Sequence, residues 1–265
     1  MKIYVSADIE GVTGVTHWDE TNLAKKDHDA AREQMTAEVA AACEGALEAG
    51  ATEIWVKDAH DSGRNLIASK LPQEVRLIRG WSGHPLMMIQ ELDPSVRALL
   101  FVGYHSRSGS GGNPLAHSMS VEAVRMTLNG REASEFLLHG YAAASMGVPL
   151  AFLSGDQALC DEVKSVNPHI ETVAVKEGIG DSTLNIHPAL AVCRIREGAR
   201  RALQGDLSIC QLALPSQFHL EVGFHRPHIA YRASFYPGAR LKDPLTVAFE
   251  SDNCESLLRF ILLAF

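Results

Sequence analysis

The sequence predicts an α/β fold: a mostly parallel sheet flanked by helices, with a smaller α+β part at the C-terminal end. Three observations predict it. Strand-like and helix-like segments alternate over residues 1–205, the pattern of βαβ units. Residues 97–105 (RALLFVGYH) and 148–156 (VPLAFLSGD) are near-continuous apolar runs, as in strands buried on both faces. Beyond Gly205 the texture changes to short strands separated by proline-bearing turns. The expected division is an α/β domain over 1–205, carrying the chemistry, and an α+β domain over 206–265.

The elements follow in order. Residues 3–7 (IYVSA) read as a strand, and a loop covers 11–26. Residues 27–49 are alanine-rich and read as a long helix, capped by Asp27 or Asp29 and stopped by Gly50. A second strand spans 53–57 and runs into Asp58, His60 and Asp61. VRLIRG supplies a third strand at 75–79, and HPLMMIQEL (84–92) a short helix. The 97–105 strand ends in His105 and gives way to a Gly/Ser-rich loop over 106–117. In 121–134, Asn129-Gly130 marks a hairpin turn. Residues 134–147 read as a helix, 148–156 as a strand ending in Asp156, and 187–205 as a helix stopped by Gly205. SQFHLEVGF, AYRASFY and LTVAFES read as strands, and 253–265 closes as a helix.

Composition excludes several classes. The formal charge is −8 over 265 residues, without the basic stripe of a nucleic-acid binder. Five cysteines, at 43, 160, 193, 210 and 254, form no CxxC pair; this suits reduced thiols rather than a disulfide framework or a zinc ribbon. Cys43 and Cys193 read as buried thiols within helices. No leader-like apolar run opens the chain, and no stretch approaches the ~18 apolar residues of a membrane span. A soluble, cytoplasmic protein without membrane or nucleic-acid partners is expected.

Polar residues collect at the carboxyl ends of the predicted parallel strands, where open α/β sheets bind ligands. Asp8 and Glu10 stand two residues apart, so extended backbone projects both carboxylates to one face. Like charges that close shift each other's pKa unless something positive lies between them. A Lys or Arg, a bound cation or water at a strand end would serve. His60 and His105 close two further strands. Taken singly, each residue has an ordinary reading: Asp8 as a helix cap, Glu10 as a solvated acid, His60 and His105 as hydrogen-bonded histidines. Together they are a donor set of carboxylate oxygen and imidazole nitrogen that suits zinc, manganese or cobalt. Two cations ~3.5–4 Å apart clamp a hydrolytic transition state. Asp58 and Asp61 are of the type that orients a ligating imidazole, and Asp156 of the type that caps a following helix. SGSGG at 108–112 lacks the strand and helix context of a phosphate loop, and no nucleophile elbow is present.

SADIEG (6–11), KDAHDSGRN (57–65), GYHSRSG (103–109) with LAHS (115–118), NGREASE (129–135) and GVPLAFLSGD (147–156) carry a resemblance. In order and spacing they resemble the DppA-like zinc D-aminopeptidase family, through most of the chain. The resemblance implies a binuclear zinc peptidase with two Zn2+ per chain, acting on short peptides or amides with N-terminal D-amino acids. It implies metal ligands Asp8, Glu10, His60, His105 and Glu135, with Asp8 bridging the ions. It also implies a catalytic histidine at His117, as base, proton shuttle or nucleophile, and a ring-stacked homodecamer. Glu135 and His117 rest on the resemblance alone. Competing readings are a binuclear-metal amidohydrolase or aminopeptidase acting on L-peptides or other small amides, and a non-catalytic metal- or peptide-binding protein. The terminal run FILLAF (260–265) would suit an oligomer interface or the chain's own core.

Overall fold

The computed structural model describes residues 1–265, the whole chain. In order, it forms β1 (Lys2–Ala7), α1 (Trp18–Thr21), α2 (His28–Glu48), β2 (Glu53–Asp58), β3 (Val75–Ile78), β4 (Ala98–Tyr104), β5 (Ala123–Leu128), β6 (Arg131–Glu132), α3 (Glu135–Ser145) and β7 (Leu150–Asp156). It continues with α4 (Gln157–Val166), β8 (Glu171–Ile179), β9 (Ser182–Asn185), α5 (Pro188–Gln204), β10 (Phe218–Phe224), α6 (Pro227–Ala233), β11 (Arg240–Asp243), β12 (Thr246–Ser251) and α7 (Cys254–Ala264). The larger sheet has the order β3-β2-β1-β4-β7-β8-β9. All its pairings are parallel except β8 with β9. The smaller sheet, β11-β12-β10-β5-β6, is antiparallel. It draws strands from both sides of residue 205. No helix is long and apolar enough to cross a membrane.

Alternation along the central strands builds two cores. Ile3 and Val5 of β1, with Leu100 and Val102 of β4, join a core with Met35 and Val39 of α2 and Ile195 of α5. Tyr4, Leu99 and Phe101 point the other way, into a core with Phe136 of α3, Leu220 of β10 and Phe260 of α7. Each fully buried large apolar side chain contributes ~1.5–3 kcal/mol. The sheet is thus covered on both faces, which accounts for the unbroken apolar runs at 97–105 and 148–156.

Several elements differ from expectation. Residues 84–92 form a single 3-10 turn, Met87–Ile89, instead of a helix. Met87 and Glu91 adopt positive φ (42° and 60°), which an α-helix cannot contain. Most of AYRASFY lies in α6, where Pro227 occupies the first turn and starts a helix with φ already set. β8 and β9 were not anticipated, because Lys176, Glu177 and Asn185 interrupt any apolar pattern. Cys193 is exposed, not buried. FILLAF packs mainly into the chain's own core: Phe260, Ile261 and Ala264 are buried, and Leu263 is the outward residue.

Candidate metal centre

Strand order explains where the polar residues meet. From β1 the chain proceeds outward to β2 and β3, then crosses to β4 on the other side of β1. The crevice at such a reversal, outside the carboxyl ends, is where open α/β sheets bind ligands. Two glycines bring the strand ends close. A Cβ on Gly11 would lie 1.7 Å from the Tyr104 carbonyl oxygen, and one on Gly103, at φ +72°, would lie 2.3 Å from the Asp8 carbonyl oxygen. The amide of Gly11 donates to the Gly103 carbonyl at 2.8 Å. Asp8 and Glu10 after β1 therefore meet His105 after β4, and His60 after β2 closes on the same point.

The structure brings all six candidates together. His60 Nδ1 lies 3.3 Å from Asp8 Oδ1 and 3.1 Å from Glu10 Oε2. His105 Nε2 lies 3.5 Å from Asp8 Oδ2 and 3.4 Å from Glu135 Oε2. The Asp8 carboxylate thus stands between two imidazoles, one at each oxygen. Glu135 enters from the first turn of α3, whose N-cap Ser134 accepts from the Leu137 amide. His117 Nε2 is 3.8 Å from Glu135 Oε1, and its ring stacks on His105 with centroids 4.4 Å apart. Asp8, Glu10, His60, His105 and Glu135 are all buried, and His117 is partly so.

Each imidazole is held by a backbone carbonyl through the nitrogen that faces away from the acids. His60 Nε2 donates to Thr21 O at 2.8 Å, His105 Nδ1 to Ser106 O at 2.9 Å and His117 Nδ1 to Leu115 O at 2.9 Å. That arrangement leaves the other nitrogen of each ring free to bind a cation. Asp58 does not touch the His60 ring. It accepts from the amides of Asn65 and Leu66 and from Asn65 Nδ2, which also donates to the His60 carbonyl. Asp58 therefore shapes the 58–66 loop, and Thr21 orients the imidazole. Asp61 adopts positive φ and offers its carbonyl to Trp81. Asp156 caps α4 as expected.

The electrostatics ask for positive charge. Burial and the adjacent Glu10 push Asp8 up to about 8. Burial works against Glu10 as well, but the charge of His60, joined by His105, holds it well below the carboxylate range. Against its own burial, Glu135 is drawn down to about 2 by His105. Burial would depress both histidines, yet Glu10 and Asp8 hold His60 well above its ordinary value, and Glu135 with Asp8 lifts His105 to about 10. Glu10 Oε2 and His105 Nε2 are nonetheless buried without a well-formed hydrogen bond. An oxygen and a nitrogen orphaned among three carboxylates fit metal ligation, and the N/O donor set fits zinc. Two groups have ligand atoms mutually within 4.8 Å: Asp8–Glu10–His105 and His105–His117–Glu135. His105 belongs to both.

The cluster forms the floor of a cavity of about 470 Å3 whose wall includes Trp18, Trp81, Met88, Met119 and Val121. No Lys or Arg lines it. Sequence reasoning missed the carbonyls of Thr21, Ser106 and Leu115, and no residue-type signal could have revealed them. It also missed the aromatic wall.

Comparison with known proteins is consistent along the whole chain. A family described as D-aminopeptidase matches residues 1–263. A D-aminopeptidase of Bacillus subtilis (strain 168) is 32% identical over 255 residues, 96% of this chain and 92% of that relative. A solved structure, the Zn-dependent D-aminopeptidase DppA from Bacillus subtilis, described as a self-compartmentalizing protease, is similar at a TM-score of 0.94 and 29% identity. The similarity covers 100% of this chain and 96% of that one.

Proposed function

The chain belongs to the D-aminopeptidase family, and from that premise we propose that it is a zinc-dependent D-aminopeptidase. It removes an N-terminal D-amino acid from a short peptide or amide. Asp8, Glu10, His60, His105 and Glu135 would hold two zinc ions, with Asp8 shared between them. The observation that carries this reading is the Asp8 carboxylate between two carbonyl-anchored imidazoles, beside the orphaned Glu10 Oε2 and His105 Nε2. Zinc, when bound, supplies Lewis-acid activation of water and of the scissile carbonyl.

The chain's own residues do the rest. The cavity is lined by Asp8, Glu10, Asp61 and Glu135 and by no Lys or Arg, which suits a substrate's free ammonium group and gives no lysine or arginine anchor to a C-terminal carboxylate. That favours cleavage from the amino end. His117 keeps its Nδ1 proton on Leu115 O, so Nε2 is the atom that exchanges protons. It takes a proton from the attacking water and returns one to the leaving nitrogen as the C–N bond breaks. A second reading rests on the His105–His117–Glu135 grouping, which makes His117 a candidate sixth ligand. By analogy with the self-compartmentalizing relative, the protein assembles as a homo-oligomer, a decamer on the sequence resemblance, that encloses its sites.

A panel of matched D- and L-aminoacyl amides, assayed before and after a chelator and after zinc is restored, tests the function. The expected result is hydrolysis of D-amides that the chelator abolishes and zinc restores. Preference for L-amides, or activity indifferent to the chelator, would overturn it.

A further inference from the structure

Lys57 raises a question that the metal centre does not answer. It is the penultimate residue of β2, one strand in from the edge of the larger sheet, and is fully buried. A lysine there costs desolvation and needs compensation. Its Nζ donates to the carbonyls of Asp58 at 2.6 Å and Gly80 at 2.7 Å, and sits 3.9 Å from the centre of the Trp81 ring. The indole N–H of Trp81 donates to the Asp61 carbonyl at 2.6 Å. The Gly80 amide in turn binds the Gly63 carbonyl, tying this segment to the loop that carries His60.

Trp81 is thus fixed on one face by a cation and at its N–H by a carbonyl, yet it remains 42% exposed. Its free surface lines the same cavity as Asp8, Glu10 and His60, near Ala59 and Met88. An indole held this firmly and left uncovered offers apolar area at low entropic cost to whatever enters. Trp81 stands at the His60 end of the cluster, adjoining Asp61, whereas Trp18 touches His117, with ring centroids 5.6 Å apart, at the end where the leaving group takes its proton.

The geometry points to Trp81 as the specificity wall for the side chain of the substrate's N-terminal residue, selecting bulky apolar D-residues, aromatic ones foremost. This rests on the D-aminopeptidase reading. The acids and the absence of any Lys or Arg add discrimination against acidic side chains.

The test uses the zinc-loaded, full-length protein and D-Phe, D-Ala and D-Glu amides of one amine. The wild type is expected to favour D-Phe over D-Ala, with D-Glu slowest by at least about ten-fold. In Trp81→Ala the D-Phe to D-Ala ratio of kcat/KM falls at least about ten-fold, mainly through KM on D-Phe. Trp81→Phe keeps the ratio within about three-fold of wild type. Should the alanine variant not fold, Trp81→Leu reads the same ratio. An unchanged ratio, an equal loss on every amide, or a wild type that prefers D-Ala overturns the proposal while leaving the D-aminopeptidase reading intact. A wild type inert on all D-amides overturns that reading as well.

Discussion

Two buried polar clusters lie side by side at the carboxyl ends of the sheet, and they are built on opposite plans. Around Asp156, every polar group is matched. Its carboxylate accepts from the Ser106 amide, the Ser106 hydroxyl, the Leu159 amide and Asn113 Nδ2. Asn113 also donates to the Glu10 carbonyl, and Lys176 donates to the carbonyls of Glu10 and Val15. The cluster of Asp8, Glu10, His60, His105 and Glu135 instead packs three carboxylates together and leaves Glu10 Oε2 and His105 Nε2 without a well-formed hydrogen bond. A satisfied network rigidifies; an unsatisfied one costs free energy until something fills it. The first cluster therefore braces and the second receives. The two meet in Glu10, whose backbone is clamped by Asn113 and Lys176 while its side chain faces the cavity.

The largest contrast should appear when one acid is removed from each. Asp8→Ala is expected to cut kcat/KM by at least about 10³-fold, with most of the zinc lost and the fold kept. Asp156→Ala is expected to lower unfolding stability by about 3–5 kcal/mol, because it leaves the Ser106, Leu159 and Asn113 donors without their acceptor. Zinc analysis and denaturant titration of both variants check this. A stable Asp156→Ala protein, or an Asp8→Ala protein with full zinc, would dissolve the distinction.

His117 sharpens the account within the receiving cluster. Its replacement by Ala is expected to lower kcat by about 10²-fold with a much smaller change in KM and no change in zinc content, as for loss of a proton-transfer group. Loss of one zinc per chain would make it a ligand, and near wild-type kcat would remove it from the chemistry.

The smallest effect concerns Glu38 of α2, outside both clusters, whose Oε1 accepts from the Thr13 amide and Gln34 while its Oε2 is buried without a partner. Burial pushes its carboxyl up to about 7. Between its unfolded value near 4.5 and about 7 the folded protein binds more protons than the unfolded chain, so stability falls as pH rises through that window. Glu38→Gln removes the titrating group. Relative to it, the wild type is expected to lose about 1–3 kcal/mol from pH 4.5 to 7. Denaturant midpoints that run parallel for the two proteins would contradict this.

The contrast also marks what the sequence could and could not reveal. Asp8, Glu10, His60 and His105 were legible because each follows a parallel strand, and strand ends converge by topology alone. Glu135 and His117 were visible only through family resemblance: one opens a helix after a hairpin, the other sits in a loop, and neither position has a periodicity to read. The brace was illegible for a similar reason. Lys176 interrupts the apolar pattern of β8, and nothing in its neighbours says that its partners are carbonyls at residues 10 and 15. The same holds for Lys57 and Trp81, whose pairing depends on β3 lying beside β2. The 84–92 segment misled because apolar content suggested a helix that two positive-φ residues forbid.

Zinc titration of metal-free protein, followed by equilibrium dialysis, tests the central claim most directly. The account predicts two zinc ions bound per chain in the wild type and loss of most of that zinc in Asp8→Ala, because one carboxylate serves both ions. Absence of zinc binding, or two ions retained without Asp8, would contradict it.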